Sequence, residues 1–250
     1  MTPTSNAGPQ MSLVQAQQSF MTAFEEAGNI QLAENAGAAF MAAGIVNKLR
    51  GALADNVMCE FFMPLMNTKV GFLTDKPGYD KKTGEVKPTY SINVVRDAII
   101  DAAFMGLLPT GNQFNIISER MYPTKEGFTH LLKKIGCKYF ISLTPLPDVS
   151  PQCAAVACKI NYEWQGDKNG FTITATVKKD GYSSMDQIKG KAERQAKKKL
   201  YEYLTGCDFG DADEDSSIPD DQTAIHAATV DNKKAEMRAK VDESRAPKLL

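Results

Sequence analysis

Six of the eleven residues from Lys189 to Lys199 are basic, a density of cations whose ordinary chemistry is the binding of phosphate. They lie within Met185 to Leu204, MDQIKGKAERQAKKKLYEYL. At about 100° per residue, Met185, Ile188, Ala192, Ala196, Leu200 and Tyr203 share one apolar face, predicted to pack on a sheet. Lys191, Arg194 and Lys198 fall opposite it as a cationic ridge on the outer face, with Lys197 beside them. Lys189 and Lys199 border the apolar stripe, where alkyl stems lie along the core and the ammonium groups reach out. A solvated helix mixes Glu with Lys at i,i+4 spacing. Here the six bases face Glu193 alone, so an anion from outside the helix is expected to relieve their repulsion. The internal alternative is the acidic run Cys207 to Asp221, CDFGDADEDSSIPDD, with seven acids and no base.

The net charge of −1 hides a segregation. Between Arg120 and Lys199 stand 15 Lys and Arg against 7 acids, a net +8, immediately before the acidic run. A basic body with an acidic tail is the asymmetry of proteins that bind nucleic acid. Arg120, Lys125, Lys178 and Lys179, at strand ends and helix starts, extend the ridge into a groove. Binding of single strands needs rings as well as cations, and Tyr122, Tyr139, Phe140, Tyr162, Trp164, Tyr182 and Tyr201 are the rings in reach. Bond-making chemistry finds no such support. His130 is a lone helical histidine, and GxxxxGK[ST] does not occur, which disfavours ATP-driven strand exchange. Asp211, Asp213 and Asp215 start like a calcium loop, but Ser216 stands where the turn needs Gly and Gln222 where it needs Glu. The expectation is a binding protein and not an enzyme, with no cofactor and no metal.

Five cysteines without a CxxC pair fit reduced thiols better than a disulfide framework or a zinc site. No apolar run nears the roughly 20 residues that span a bilayer. Met1 to Gln10 also lacks the basic start and apolar centre of a signal peptide, so a soluble cytoplasmic protein is expected.

The elements that must position the cations form a predicted α+β unit over residues 89–206. Residues 1–12 are too polar to order themselves. Residues 13–88 form a helical region and a turn-rich loop, assigned to subunit contacts. From Ser91 to Leu107, Ile92, Val95, Ile99, Ala102, Ala103 and Gly106 recur at helical spacing. Gln113 to Tyr122 alternates as a strand, and Thr124 caps a short helix with the stripe Phe128, Leu131, Leu132 and Ile135. Three antiparallel strands follow, Lys138 to Thr144, Ala154 to Trp164 and Gly170 to Val177, the last two joined by the turn QGDKN. Ser184 then caps the long basic helix. Residues 207–221 are an acidic linker, and 222–250 a flexible tail with a partner-binding helix.

Three stretches, in this order, carry a resemblance. They are GLLP (Gly106 to Pro109) closing an Ala-rich helix, FNIISERMYPTKEGFTHLLKKIG with Gly127 opening a short helix after a strand, and QIKGKAERQAKKKLYEYL with its terminal Leu-aromatic-x-Tyr-Leu. From Ile92 to Leu204 the chain resembles the RecT and Red-beta group of phage single-strand annealing proteins. The resemblance implies ATP-independent binding of single-stranded DNA along a basic groove, annealing to a complementary strand in phage-type homologous recombination, and assembly into rings or helical filaments. It also implies the cytoplasm of a bacterium or phage-infected cell, and a phage exonuclease or host single-strand binding protein recruited through Gln222 to Leu250. The chain departs from the family pattern twice. The segment between Pro109 and Gly127 is shorter, and Glu193 stands where a base is expected, which leaves Arg194 as the surer contact. The order helix, three strands, helix from Thr124 to Leu204 also describes a double-stranded RNA-binding module, although the GLLP helix and the strand after it have no place there. A scaffold that touches no nucleic acid is the reading from a different class.

Overall fold

Good helix formers open the chain. Helix α1 (Leu13–Asn29) and helix α2 (Ala36–Ala52) pack on each other, with Ala16, Ala23 and Ala27 of α1 and Ile45, Leu49 and Ala52 of α2 buried. Small residues on α1 let the two backbones approach closely. Ser12 and Gln15 bond reciprocally across the first turn of α1, the capping-box arrangement. These contacts come from a computed structural model that describes residues 12–29, 36–78, 83–179, 183–207 and 209. The tail Gln222 to Leu250 and nearly all of the acidic linker lie outside the described residues, as does Tyr182.

A single turn, α3 (Asp55–Val57), runs on through a π turn at Met58–Phe62 and a 3-10 turn at Met63–Leu65. The two-residue strand β1 (Leu73–Thr74) follows. Helix α4 (Ile92–Met105) starts where Ser91 Oγ accepts from the Val94 amide, and stops at Gly106, whose φ of 75° only glycine adopts freely. Its face Val95, Ile99, Ala102 and Ala103 is fully buried against α1, α2 and the first sheet.

The stretch Gln113 to Tyr122, expected as one strand, is two. Strands β2 (Phe114–Ile117) and β3 (Arg120–Pro123) pair antiparallel, Phe114 opposite Pro123, while β1 lies parallel on the other edge of β2. The chain reverses at Ser118 and Glu119, both left-handed with φ of 49° and 67°. Glycine usually serves such a turn, and its absence hid the turn in the sequence. The conformation is imposed from outside. Ser118 N donates to Asp75 Oδ2 at 3.0 Å, Glu119 N donates to the Tyr90 hydroxyl at 3.1 Å, and that hydroxyl donates to Asp75 Oδ1 at 2.6 Å.

Helix α5 (Lys125–Lys134) begins as the sequence predicts, with Thr124 Oγ1 accepting from Gly127 N at 3.1 Å. A long antiparallel meander follows, β4 (Lys138–Ser150), β5 (Cys153–Trp164) and β6 (Asp167–Lys178), in the spatial order β4-β5-β6. Each strand runs further than its apolar pattern suggests, because pairing in register carries polar residues along with it. The tip between β5 and β6 is the two-residue loop Gln165–Gly166, both at positive φ. Helix α6 (Met185–Thr205) opens on a complete capping box between Ser184 and Gln187 and ends at Gly206. Among the described residues no helix is long and apolar enough to cross a membrane.

Two hydrophobic cores result. One gathers α1, α2, α4, the β1-β2-β3 sheet and the Phe128–Leu131 side of α5; the other gathers Leu132 of α5, the β4-β5-β6 sheet and the apolar face of α6. Where α5 meets the first sheet, packing leaves no room for a side chain: a Cβ on Gly127 would stand 2.0 Å from the Gln113 carbonyl oxygen. Gly127→Ala is therefore expected to cost about 1–3 kcal/mol by forcing backbone apart, whereas Gly44→Ala in α2, where nothing lies within 4 Å, gains about 0.5–1 kcal/mol of helix propensity. Urea unfolding of the two variants reads the opposite signs. Where α5 faces Gly106 at the end of α4, burial and then the neighbouring Lys134 charge hold the half-buried His130 imidazole below its ordinary value of 6.5. A depressed folded value means stability that is present above the ordinary pKa and lost as pH falls through the folded one. Between pH 7.5 and 5.5 the unfolding midpoint of the wild type should fall further than that of His130→Gln.

Candidate nucleic-acid interface

The three stretches Gly106 to Pro109, Thr124 to Gly127 and the middle of α6 meet at one corner. Leu107, fully buried, would stand 3.3 Å from a Cβ at Gly127, and the Leu108 amide donates to Gln113 Oε1 at 2.9 Å. The Gln113 carbonyl in turn accepts from Thr124 N at 3.0 Å, which fixes the entry of α5. Helix α6 is clipped to the same place, because Arg194 Nε donates to the Pro123 carbonyl, the last of β3, at 2.8 Å.

This clip overturns part of the helical-wheel expectation. The side of α6 away from the sheet does not face solvent throughout, since α5 and the end of β3 lie against it. Lys197 and Lys198 are each only 6% exposed. Lys197 Nζ lies 2.6 Å from Glu193 Oε1, donates to Thr129 Oγ1 of α5 at 2.9 Å, and sits 5.8 Å above the Tyr139 ring. Lys198 pairs with Glu202 at 3.8 Å, and exposed Lys199 with the same carboxylate at 3.0 Å. The Phe209 amide donates to Glu202 Oε1 at 3.2 Å, while its ring packs on Phe128 and Tyr201. The first residues after the helix thus return over it. A second counterion, Glu202, was readable at i,i+4 from Lys198 and i,i+3 from Lys199. Much of the repulsion expected to need an outside anion is relieved within the helix.

What remains for an outside anion is narrower. Lys191 and Arg120 are exposed and make no ion pair among the described residues. Lys125, at the first turn of α5, is half-buried and lies 3.7 Å from Glu193 and 3.9 Å from Glu126. Arg194 uses its Nε on Pro123. Lys125, two residues after Pro123, stands next to the backbone point where Arg194 docks, Lys191 stands one turn earlier on α6, and Arg120 stands at the other end of β3, about 10 Å of extended strand away. Lys189 is half-buried at the stripe's border. Lys178 and Lys179 belong instead to the C-terminal end of β6, where Lys178 is opposite Cys153 and Lys179 is paired with Asp148.

The rings divide as sharply. Tyr162 is in the second core, and Trp164 is half-buried with its indole N–H on the Ile135 carbonyl at 3.0 Å. Tyr122, Tyr139 and Tyr201 are half-buried, and Phe140 stands out on the other face of the sheet. Among the described residues no group of three His, Cys, Asp or Glu is placed to hold a metal ion.

The buried Lys197 gives a direct test of this electrostatic arrangement. Glu193→Ala strands an enclosed ammonium and is expected to cost about 2–3 kcal/mol, whereas Lys197→Met keeps the packed stem, leaves Glu193 to Lys125, and costs less than about 1 kcal/mol. Equal losses in denaturant midpoint would show that the pair's charge is irrelevant to its burial. No family model matches the chain, and neither a curated protein nor a solved structure does.

Proposed function

We propose that this protein binds single-stranded DNA and anneals complementary strands without ATP, and that it works as a ring or helical filament of identical subunits in the bacterial or phage-infected cytoplasm. The observation that supports the reading is the corner itself. Arg194 docked on Pro123 draws the middle of α6 to the end of β3 where Lys125 follows, with Lys191 exposed one turn away and Arg120 exposed at the strand's other end. In this reading one cation from the start of a strand and others from two helices line one path for a phosphate backbone. Annealing needs no bond-breaking group: it needs strands held by their phosphates with bases left free to pair. The same three stretches that carry the resemblance to the RecT and Red-beta group build this corner. In this reading Gln222 to Leu250, outside the described residues, recruits an exonuclease or single-strand binding protein.

One observation favours a second reading. Helix α6 packs on one face of a three-stranded antiparallel sheet and α5, lying on α6, adds Leu132 to the same core, an order and packing that also describe a double-stranded RNA-binding module. Binding measured side by side separates the two. The annealing protein prefers single-stranded DNA over A-form duplex RNA, and it speeds duplex formation when two complementary oligonucleotides are added in turn, with neither ATP nor a divalent ion. Arg120→Ala with Lys191→Ala is expected to reduce the slope of log affinity against log salt by about 1.4, since each phosphate neutralised on a single strand contributes roughly 0.7. A slope equal to that of the wild type removes the corner from the binding path, and tighter binding to duplex RNA removes the annealing reading.

A further inference from the structure

The face of the β4-β5-β6 sheet turned away from α6 has no described element packed on it. Strand register sets its side chains in rows: Lys138, Glu163 and Lys168; then Phe140, Asn161 and Gly170; then Ser142, Lys159 and Thr172. Successive rows on one face are roughly 6.6 Å apart, two residues of strand. The middle row holds Phe140, 67% exposed and outside both cores. On one side of it a single carboxylate, Glu163, is shared by Lys138 at 3.7 Å and Lys168 at 3.9 Å, whose side chains are 81% and 80% exposed, so that row keeps a positive charge. On the other side Lys159 is exposed and has no ion pair among the described residues. Beyond Asn161 the row ends in a residue without a side chain, Gly170. A Cβ at Gly170 would stand 2.7 Å from the Ile160 carbonyl oxygen and 2.9 Å from Asn161 Oδ1, so only glycine fits, and the Asn161 amide leans over the backbone there.

A docking protein would seek contiguous apolar surface, and around Phe140 this face offers one ring among a serine, a threonine, an asparagine, a glutamate and lysines, with Leu146, Ala155 and Ala157 confined to the rows at its far end. A chain of planar bases on a phosphate backbone matches it: a ring to stack on, cations on both sides at strand-row spacing, and an amide for base edges. We propose that this open sheet face is a second single-strand surface, with a nucleobase stacked on Phe140 and phosphates held by Lys138, Lys159 and Lys168. The inference rests on the reading that the protein binds single strands, and it adds a surface on the side of the sheet opposite α6. Two such surfaces on one subunit give two strands separate places to be held.

The full-length protein and oligothymidylate test this. Phe140→Ala should weaken binding roughly 5- to 150-fold, the range for removal of one base stack, with the thermal unfolding midpoint unchanged because the ring is outside both cores. Phe140→Trp should keep the affinity and show fluorescence quenching on addition of oligothymidylate, beyond any change of the chain's one native tryptophan, Trp164. That quenching should persist when Arg120 and Lys191 are both replaced by Ala. Wild-type affinity in Phe140→Ala, or no added quenching in Phe140→Trp while the protein still binds, overturns the sheet-face proposal and leaves the corner standing. A wild type that binds no oligothymidylate overturns both.

Discussion

The ten residues of α5 serve two hydrophobic cores at once, and the rest of the molecule is arranged around that constraint. Phe128 and Leu131 face the helical core, Leu132 faces the sheet core, and Thr129 reaches α6. A helix of under three turns has too little apolar surface to hold two cores by burial alone. Its ends supply the remainder. At the N-terminus, Thr124 caps the helix while its amide holds the Gln113 carbonyl, and the absent side chain of Gly127 lets that carbonyl sit directly on the helix. Beyond the C-terminus, the Trp164 indole ties Ile135 to the end of β5. Both cores are thereby registered to one short rod.

That registration decides the fate of the cations on α6. Once α5 and Pro123 lie against the helix, Lys197 and Lys198 are enclosed, and an enclosed ammonium requires a partner. Glu193 and Glu202 provide it at helical spacing, and Thr129 adds a hydrogen bond. Burying these charges gives little net stability, because desolvation consumes most of the Coulomb attraction, but it fixes which lysines remain outside. Arg120 and Lys191 remain outside, and so do the lysines of the open sheet face.

The β2–β3 turn shows a local preference being overridden. Two consecutive residues with side chains occupy the left-handed region, at a cost of about 1 kcal/mol each. The Asp75 carboxylate and Tyr90 hydroxyl, themselves hydrogen-bonded and with Lys76 over the Tyr90 ring at 4.3 Å, accept the two turn amides. The turn is held from β1's end and from the residue before the Ser91 cap, and it sets where Arg120 leaves the sheet.

The sequence by itself determined the elements whose signals are local. Thr124 and Ser184 cap the helices they were expected to cap, and the three antiparallel strands between those helices follow in the expected order. The α+β class follows from that order. Only the tertiary structure decided what depends on distant neighbours. The reversal at Ser118 is written in Asp75 and Tyr90, not in the turn residues. The side of α6 opposite its apolar stripe reads as solvent on a helical wheel, because a wheel contains one helix and no second one to cover it. Phe140 reads as one more ring in a strand until the register shows it on the face that nothing described covers. Periodicity gives the direction in which a side chain points. What it meets there is set by the packing of elements far apart in the chain.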